Sequence, residues 1–206
     1  MNYDLKGLYV ITDARYKGPN GLAQQVEQAI LGGARIVQYR DKSDDQQLRK
    51  AEALAVHQIC QAHQVPLIIN DDVELARQIN AEGVHVGIHD MSLTEARKTL
   101  GNDFIIGVSC YNQAELGKQA AEQGADYIAF GSCYPSPTKP DAVKASADVF
   151  TKARKTLDLP IVAIGGIKPE NGQPLIEAGA DMLAVISDVF AHDDVRSAAE
   201  KFKPLF

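Results

Sequence analysis

The chain has 206 residues, of which 45% are hydrophobic and 23% charged, and its formal net charge is −6 at pH 7. The acidic balance, without any run of basic residues, argues against a nucleic-acid partner, and no apolar run reaches the ~20 residues of a membrane-spanning helix. The three cysteines lack CxxC spacing, which favours reduced thiols. The first residues lack the features of a secretory signal, so we expect a cytoplasmic protein without a membrane partner.

Short apolar strands alternate with helical segments along the chain. Eight strands are predicted, starting at residues 7, 35, 66, 83, 104, 127, 161 and 182. Each interval accommodates a helix, and Gly-Ala pairs recur between a helix and the next strand as helix stops. This pattern predicts an α/β fold, a closed (β/α)8 TIM barrel, as a single domain over residues 1–206. An open doubly wound sheet would need a glycine-rich fingerprint after the first strand, and 12–15 is not one.

Helix caps are predicted at three places. Ser43-Asp44-Asp45 precedes the longest helix, Asp72 precedes a short helix over 74–80, and Ser92 with Glu95 forms a capping box. Apolar residues at spacings of three and four predict the buried face of the longest helix: Leu48, Ala51, Leu54, Ala55, Ile59 and Ala62.

The second strand ends in polar residues, at the end of the barrel where active sites of this fold lie. Gln38 and Arg40 share one face because they are two residues apart, and Lys42 follows. Packing does not explain such residues in an apolar strand, so we predict that they bind an anion. The alternative is that Arg40 and Lys42 pair with acidic residues at the rim: Asp41, Asp44 or Asp45.

The third and fourth strands end in carboxylates. Because neighbouring strands lie about 4.8 Å apart, Asp71 and Asp90 can reach one metal ion. Mg²⁺ takes one or two carboxylates and completes its shell with water and phosphate oxygens, which predicts a magnesium site. His85 and His89 lack a third nitrogen or sulfur ligand for zinc, and we expect His85 to be packed and His89 to be exposed at the rim.

The loop after the sixth strand is long and rich in proline. It carries Ser136, Thr138 and Lys139, which are suited to holding phosphate, although a stiff connector is the alternative. Gly165-Gly166 and Ile186-Ser187 end the last two strands, where these barrels commonly bind phosphate through backbone N–H groups. The sequence therefore predicts two anion-binding regions, as two phosphorylated substrates would need.

Seven motifs together resemble the thiamin phosphate synthase family. They match in order and spacing over nearly the whole chain: Val37–Lys42, Ile69–Asp72, Gly83–Asp90, Ile106–Ser109, Pro135–Lys139, Ala163–Ile167 and Ala184–Ser187. The resemblance implies a TIM-barrel transferase of thiamine biosynthesis, a thiamine-phosphate diphosphorylase with Mg²⁺ as cofactor. Its reaction joins 4-amino-2-methyl-5-hydroxymethylpyrimidine diphosphate to 4-methyl-5-(2-phosphoethyl)thiazole, giving thiamin phosphate and diphosphate.

The resemblance also implies a role for each candidate residue. Diphosphate is expected to depart first, leaving a cation that the thiazole nitrogen captures, with Arg40, Ser109 and Lys139 as catalytic residues. The metal is expected at Asp71 and Asp90. The pyrimidine diphosphate is expected at Gln38, Arg40, Lys42, Asn70, Ser109 and Lys139, and the thiazole phosphate at Ser136, Thr138, Gly166, Ile186 and Ser187.

Two other interpretations stay open on the sequence, and the oligomeric state is open as well. A thiazole tautomerase-like isomerase shares the barrel and the Gly-Gly site but lacks the Asn-Asp-Asp and Pro-Thr-Lys signatures. A non-catalytic barrel that binds thiamin phosphate would not require metal carboxylates. The chain departs from the family pattern at Ile88, often Gln, at His89, often Glu or Ser, and at Ser136, commonly Thr.

Overall fold

The computed structural model describes residues 3–18, 21–136 and 143–206. Within them, parallel strands close into one barrel in sequence order, because β1 pairs with both β2 and β8. The TIM-barrel prediction is confirmed. The strands are β1 (Gly7–Ile11), β2 (Ala34–Tyr39), β3 (Leu67–Asn70), β4 (Gly83–Val86), β5 (Ile105–Tyr111), β6 (Tyr127–Gly131), β7 (Ile161–Ile164) and β8 (Met182–Val185).

Helices surround the barrel and cover the outer face of its strands. No helix in the described part of the chain is long and apolar enough to cross a bilayer. The helices are α1 (Leu22–Leu31), α2 (Gln46–Ala62), α3 (Val73–Ile79), α4 (Leu93–Leu100), α5 (Ala114–Glu122), α6 (Ala147–Arg154), α7 (Gln173–Glu177), α8 (Ser187–Phe190) and α9 (Val195–Glu200), with short 3-10 helices at Ala14–Tyr16 and Lys203–Leu205.

The predicted caps are confirmed. Asp45 Oδ1 accepts the N–H of Leu48 at 2.9 Å, at the start of α2. Asp72 likewise caps α3, and Ser92 and Glu95 form the capping box of α4. These side chains satisfy backbone N–H groups that the first helical turn leaves unpaired.

The predicted buried face of α2 is wrong. Leu48 and Leu54 are 43% and 39% exposed, and the face that packs on the barrel consists of Ala53, Val56, His57 and Cys60. Both faces carry apolar residues at helical spacing, so periodicity alone does not choose between them. The buried face also contains a histidine, whose Nε2 lies 3.1 Å from a carboxylate oxygen of Glu82. The buried face therefore includes a histidine that is paired with a carboxylate, which a search for apolar residues alone does not find.

Two apolar layers hold the fold together: a large one between the strands and the helices, and a small one inside the barrel. The inner layer has room for the ring of Tyr127 because Gly107 on the neighbouring strand has no side chain. A Cβ at Gly107 would lie 1.9 Å from Cζ of Tyr127. The inner layer consists of Tyr9, Ile11, Ile36, Ile68, Tyr127, Ala129, Val162, Met182 and Ala184.

Three carboxylates tie the N-terminal end of the barrel together, and we call these contacts the base clamps. Each acidic residue directly precedes β4, β6 or β8, accepts an N–H from the strand before it, and pairs with a basic side chain from a helix. Glu82 contacts Leu67 and His57, Asp126 contacts Ile106 and Arg97, and Asp181 contacts Ile161 and Arg154.

The base clamps also reach the predicted Gly-Ala helix stops. Arg97 donates to the carbonyl of Gly124 at 3.0 Å, and Arg154 donates to the carbonyl of Gly179 at 2.9 Å. Both glycines have positive φ, as does Gly33, which confirms their role in ending helices.

We expect Asp126→Ala to lower the free energy of unfolding by about 1–3 kcal/mol, because the buried N–H of Ile106 would lose its acceptor. Urea denaturation measures the change. Asp158→Ala is the matched control, since this exposed carboxylate makes no hydrogen bond with a described residue, and its effect should stay within about 0.5 kcal/mol. Equal effects of the two variants would show that the base clamp at Asp126 adds no stability.

Candidate active site

A cavity of about 370 Å³ opens at the C-terminal end of the barrel, a size typical of small-molecule sites. Lys42, Asp71 and Asp90 are not part of its lining, but Asp71 contacts the lining residue Asn70 and also Lys42 and Asp90. Thr138 and Lys139 lie outside the described residues. The predicted residues that line the cavity are Gln38, Arg40, Asn70, Ser109, Ser136, Gly166, Ile186 and Ser187.

Two residues at the end of β1 hold Arg40 toward the cavity, and neither is among the predicted site residues. Thr12 Oγ1 accepts the N–H of Arg40 at 2.8 Å and donates to its carbonyl at 3.3 Å. Asp13 is 5% exposed, and its Oδ2 lies 3.7 Å from Nη1 of Arg40. Hydrogen bonds from Arg15 keep the pKa of Asp13 below its usual range despite burial, so this carboxylate stays charged.

Charged residues gather at the edge of the cavity after β3 and β4. Asp71 has a φ of 62°, a left-handed conformation that Asp adopts more readily than most residues. Its Oδ2 accepts a hydrogen bond from Nδ2 of Asn70 at 2.6 Å and another from the Lys42 ammonium group. Asp90 accepts the N–H of Gly87 at 2.8 Å. Lys42 thus contacts the site rather than the acidic residues of its own loop.

Asp71 and Asp90 hydrogen-bond to each other, and their pKa values move in opposite directions. Burial raises the pKa of Asp71, but hydrogen bonds from Lys42 and Asp90 lower it below the usual range. Burial and the neighbouring Asp71 raise the pKa of Asp90, although the N–H of Gly87 partly offsets the effect. The two carboxyls therefore influence each other's ionisation, and their negative charges lie together in a place that suits a cation. No third His, Cys, Asp or Glu joins them among the described residues.

A chain of hydrogen bonds crosses the inside of the barrel, and we call it the interior chain. Gln38 Nε2 donates to Tyr9 Oη at 2.8 Å, and the hydroxyls of Tyr9 and Tyr127 lie 2.9 Å apart. His85 then connects Tyr127, at 3.0 Å from Nδ1, with Ser109 Oγ, at 2.8 Å from Nε2. Burial raises the pKa of both tyrosines, so both hydroxyls keep their protons.

The structure revises the expected role of His85. Its ring stacks on Tyr127, with centroids 5.6 Å apart, as a packed histidine would, but it also lines the cavity. His89 is exposed, as expected. The sequence signal for His85 was its inward position on β4 opposite Asn70 of β3, the same face that carries the predicted site residues.

On the opposite wall, the ends of β6 and β7 approach each other closely. The N–H of Tyr134 donates to the carbonyl of Gly165 at 2.9 Å, and Asn171 Nδ2 donates to the carbonyl of Gly166 at 3.0 Å. A Cβ at Gly166, whose φ is 60°, would lie 2.4 Å from the carbonyl oxygen of Pro135. Glycine here is required by the neighbouring loop and by the left-handed backbone.

The chain matches the family model for thiamine monophosphate synthase over residues 8–189. It is 48% identical over 206 residues to the thiamine-phosphate synthase of Nitrosococcus oceani, covering 100% of this chain and 95% of that protein. Identity to the thiamine-phosphate synthase of Thioalkalivibrio sulfidiphilus is 46% over 202 residues, covering 98% and 96%. The solved thiamine phosphate pyrophosphorylase from Pyrococcus furiosus superposes with a TM-score of 0.88 at 31% identity, covering 98% of this chain and 95% of that chain.

We expect Asp71→Asn to lower the pKa of Asp90, because the substitution removes a neighbouring negative charge. Lys42→Met should have the opposite effect and raise the pKa of both carboxyls, because it removes a positive charge. Carboxyl ¹³C NMR of selectively labelled protein measures both values. An Asp90 pKa that does not respond to either substitution would show that the two carboxyls do not interact.

Proposed function

We infer, because the chain belongs to the thiamine monophosphate synthase family, that it is a thiamine-phosphate synthase, a transferase of thiamine biosynthesis. It joins 4-amino-2-methyl-5-hydroxymethylpyrimidine diphosphate to 4-methyl-5-(2-phosphoethyl)thiazole and releases diphosphate. The observation that carries this inference is a single cavity with cationic and amide groups on one wall and a glycine-rich wall opposite: Gln38, Arg40 and Asn70 face Gly166 and Ser187. Two phosphorylated substrates can meet there.

The wall formed by β2 to β5 binds the pyrimidine diphosphate. Arg40 is held by the ionised Asp13 and is suited to two phosphate oxygens, because its guanidinium group donates in a planar fork. Lys42 lies at the edge of the cavity, where it contacts Asp71. The residues proposed for this substrate are Gln38, Arg40, Lys42, Asn70, Ser109 and Lys139.

Asp71 and Asp90 hold the magnesium ion of this substrate. The two residues fit Mg²⁺, since Mg²⁺ takes one or two carboxylates together with water and phosphate oxygens. The proximity of the two carboxyls supports this assignment, because a cation bound between them would offset the repulsion by Asp71 that helps to raise the pKa of Asp90. When bound, the ion supplies positive charge beside the leaving diphosphate.

The wall formed by the ends of β6, β7 and β8 binds the thiazole phosphate. Gly166 lets backbone N–H groups approach the phosphate, and Ser136 and Ser187 add hydroxyl groups from two sides of the cavity. The residues proposed for this substrate are Ser136, Thr138, Gly166, Ile186 and Ser187.

The residues support a reaction that needs no general base. The bond between the pyrimidine methylene carbon and the diphosphate oxygen breaks first, and the thiazole nitrogen then forms the new C–N bond with its lone pair. Arg40 and Lys139 stabilise the charge that develops on diphosphate, and Ser109 orients the pyrimidine. Apolar side chains of β7 that line the cavity, including Val162 and Ile164, exclude water that would otherwise capture the cation.

The remaining proposals concern the chain as a whole. We assign residues 1–206 to one domain, the cytoplasm as compartment, and small phosphorylated molecules rather than nucleic acid or membrane as ligands. An isomerase acting on one phosphate ester, or a carrier of thiamin phosphate, would leave the carboxylate pair and its lysine without a purpose: Lys42, Asp71 and Asp90.

Purified protein given both half-substrates and Mg²⁺ should form thiamin phosphate, which oxidation converts to a fluorescent product. A chelator should abolish product formation, and added Mg²⁺ should restore it. Binding of thiazole phosphate without product formation under these conditions would favour the isomerase or the carrier.

Two variants should affect the two substrates separately. Asp71→Asn is expected to weaken Mg²⁺-dependent binding of the pyrimidine diphosphate at least about tenfold, or ~1.4 kcal/mol. Gly166→Ala places a Cβ against Pro135 and is expected to weaken binding of the thiazole phosphate by at least the same factor. Titration calorimetry measures both affinities. Asp44→Asn, the same charge change at an exposed carboxylate, is the control. If either variant weakens both substrates equally, the division of the site is wrong.

A further inference from the structure

We propose that the interior chain selects a 4-aminopyrimidine over a 4-oxopyrimidine, by fixing which hydrogen-bonding groups Gln38 and Ser109 present to the substrate. The inference rests on the proposed function, which brings the pyrimidine against these two residues. Tyr9, Tyr127 and His85 are then positioning residues, because they act through the two side chains that touch the substrate.

The direction of the interior chain is part of this proposal, because the distances between its hydroxyls and ring nitrogens allow either atom to donate. Gln38 Nε2 donates to Tyr9, and we assign the hydroxyl hydrogen of Tyr9 to Tyr127. The hydrogen of Tyr127 then goes to Nδ1 of His85, and the hydrogen on Nε2 goes to Ser109 Oγ. In this direction each of the four links has one donor and one acceptor. The opposite direction requires Gln38 to turn its amide and offer Oε1 to Tyr9.

The two ends of the interior chain are thereby fixed in complementary states. Gln38 Oε1 makes no hydrogen bond with a described residue, and this amide lines the cavity as an acceptor. Ser109 accepts from His85, so its own hydroxyl hydrogen is free to donate into the cavity. A 4-aminopyrimidine offers a donating amino group and an accepting ring nitrogen, which match these ends. A 4-oxopyrimidine offers a carbonyl acceptor and a ring N–H, the inverse pattern.

A single hydrogen bond of the interior chain cannot exchange its donor and acceptor without affecting the others. Tyr9 and Tyr127 are each 1% exposed and Gln38 is 3% exposed, so a single reversed link would leave a buried donor facing another donor. The ring of Tyr127 is also fixed where Gly107 makes room for it. All links therefore reverse together or not at all, and the substrate meets one pattern.

The test compares the wild-type protein with Tyr9→Phe and Tyr127→Phe, using the 4-amino and the 4-oxo pyrimidine diphosphates as alternative substrates. The measured quantity is kcat/KM for the amino substrate divided by kcat/KM for the oxo substrate. The two substrates differ in intrinsic reactivity, but this difference is the same for every variant and cancels when the ratios are compared. We expect the wild type to favour the amino substrate strongly and each variant to lower the ratio at least about tenfold, because Gln38 is then free to turn. KM for the thiazole phosphate should stay within about twofold.

Tyr39→Phe is the matched control, because Tyr39 is buried on β2 but its hydroxyl faces Glu52 outside the barrel; its ratio should equal that of the wild type. A ratio unchanged in both test variants, even with slower turnover, would overturn this inference alone. If Tyr127→Phe does not fold, Tyr9→Phe decides. A wild-type protein that forms no thiamin phosphate would overturn the proposed function and the inference together.

Discussion

The inside of an eight-stranded barrel has room for few side chains, and a polar group buried there costs about 1–3 kcal/mol unless it is hydrogen-bonded. Tyr127 meets both demands. Its ring fills the space that Gly107 leaves, and its hydroxyl lies within hydrogen-bond distance of Tyr9 and His85. From these partners the interior chain extends to both sides of the cavity. One close contact between a glycine and a tyrosine therefore supports the polar floor of the site.

The groups of the site are held in two different ways, which suit two kinds of ligand. The floor is neutral, buried and joined by hydrogen bonds, so it can distinguish the edge of a heterocycle. The rim is charged and more exposed, with 59% of the Lys42 side chain accessible, so it suits an anion and its counterion. Asp13 combines features of both, because it is buried like the floor and charged like the rim. It holds Arg40 where the floor and the rim meet.

The sequence predicted the barrel and the caps because these features depend on local patterns: apolar strands at regular intervals, and capping residues just before helices. It did not predict the interior chain, because Tyr9 and Tyr127 lie 118 residues apart and meet only through the closure of the sheet. The same limit applies to Tyr111, which lines the cavity at a bulge with a φ of 53°. The face of α2 was mistaken because apolar residues occur on both of its sides.

The base clamps have a consequence for how the chain folds. Their basic and acidic partners are only 25, 29 and 27 residues apart along the chain, so each clamp closes a short loop within one pair of neighbouring strands. Closing a loop of this length costs little conformational entropy, whereas contacts between residues far apart in the sequence form late in folding. We expect the N-terminal end of the barrel to assemble from these local units, and the interior chain to form only when the first strand meets the last. The catalytic face would then be the last part of the molecule to become ordered during folding.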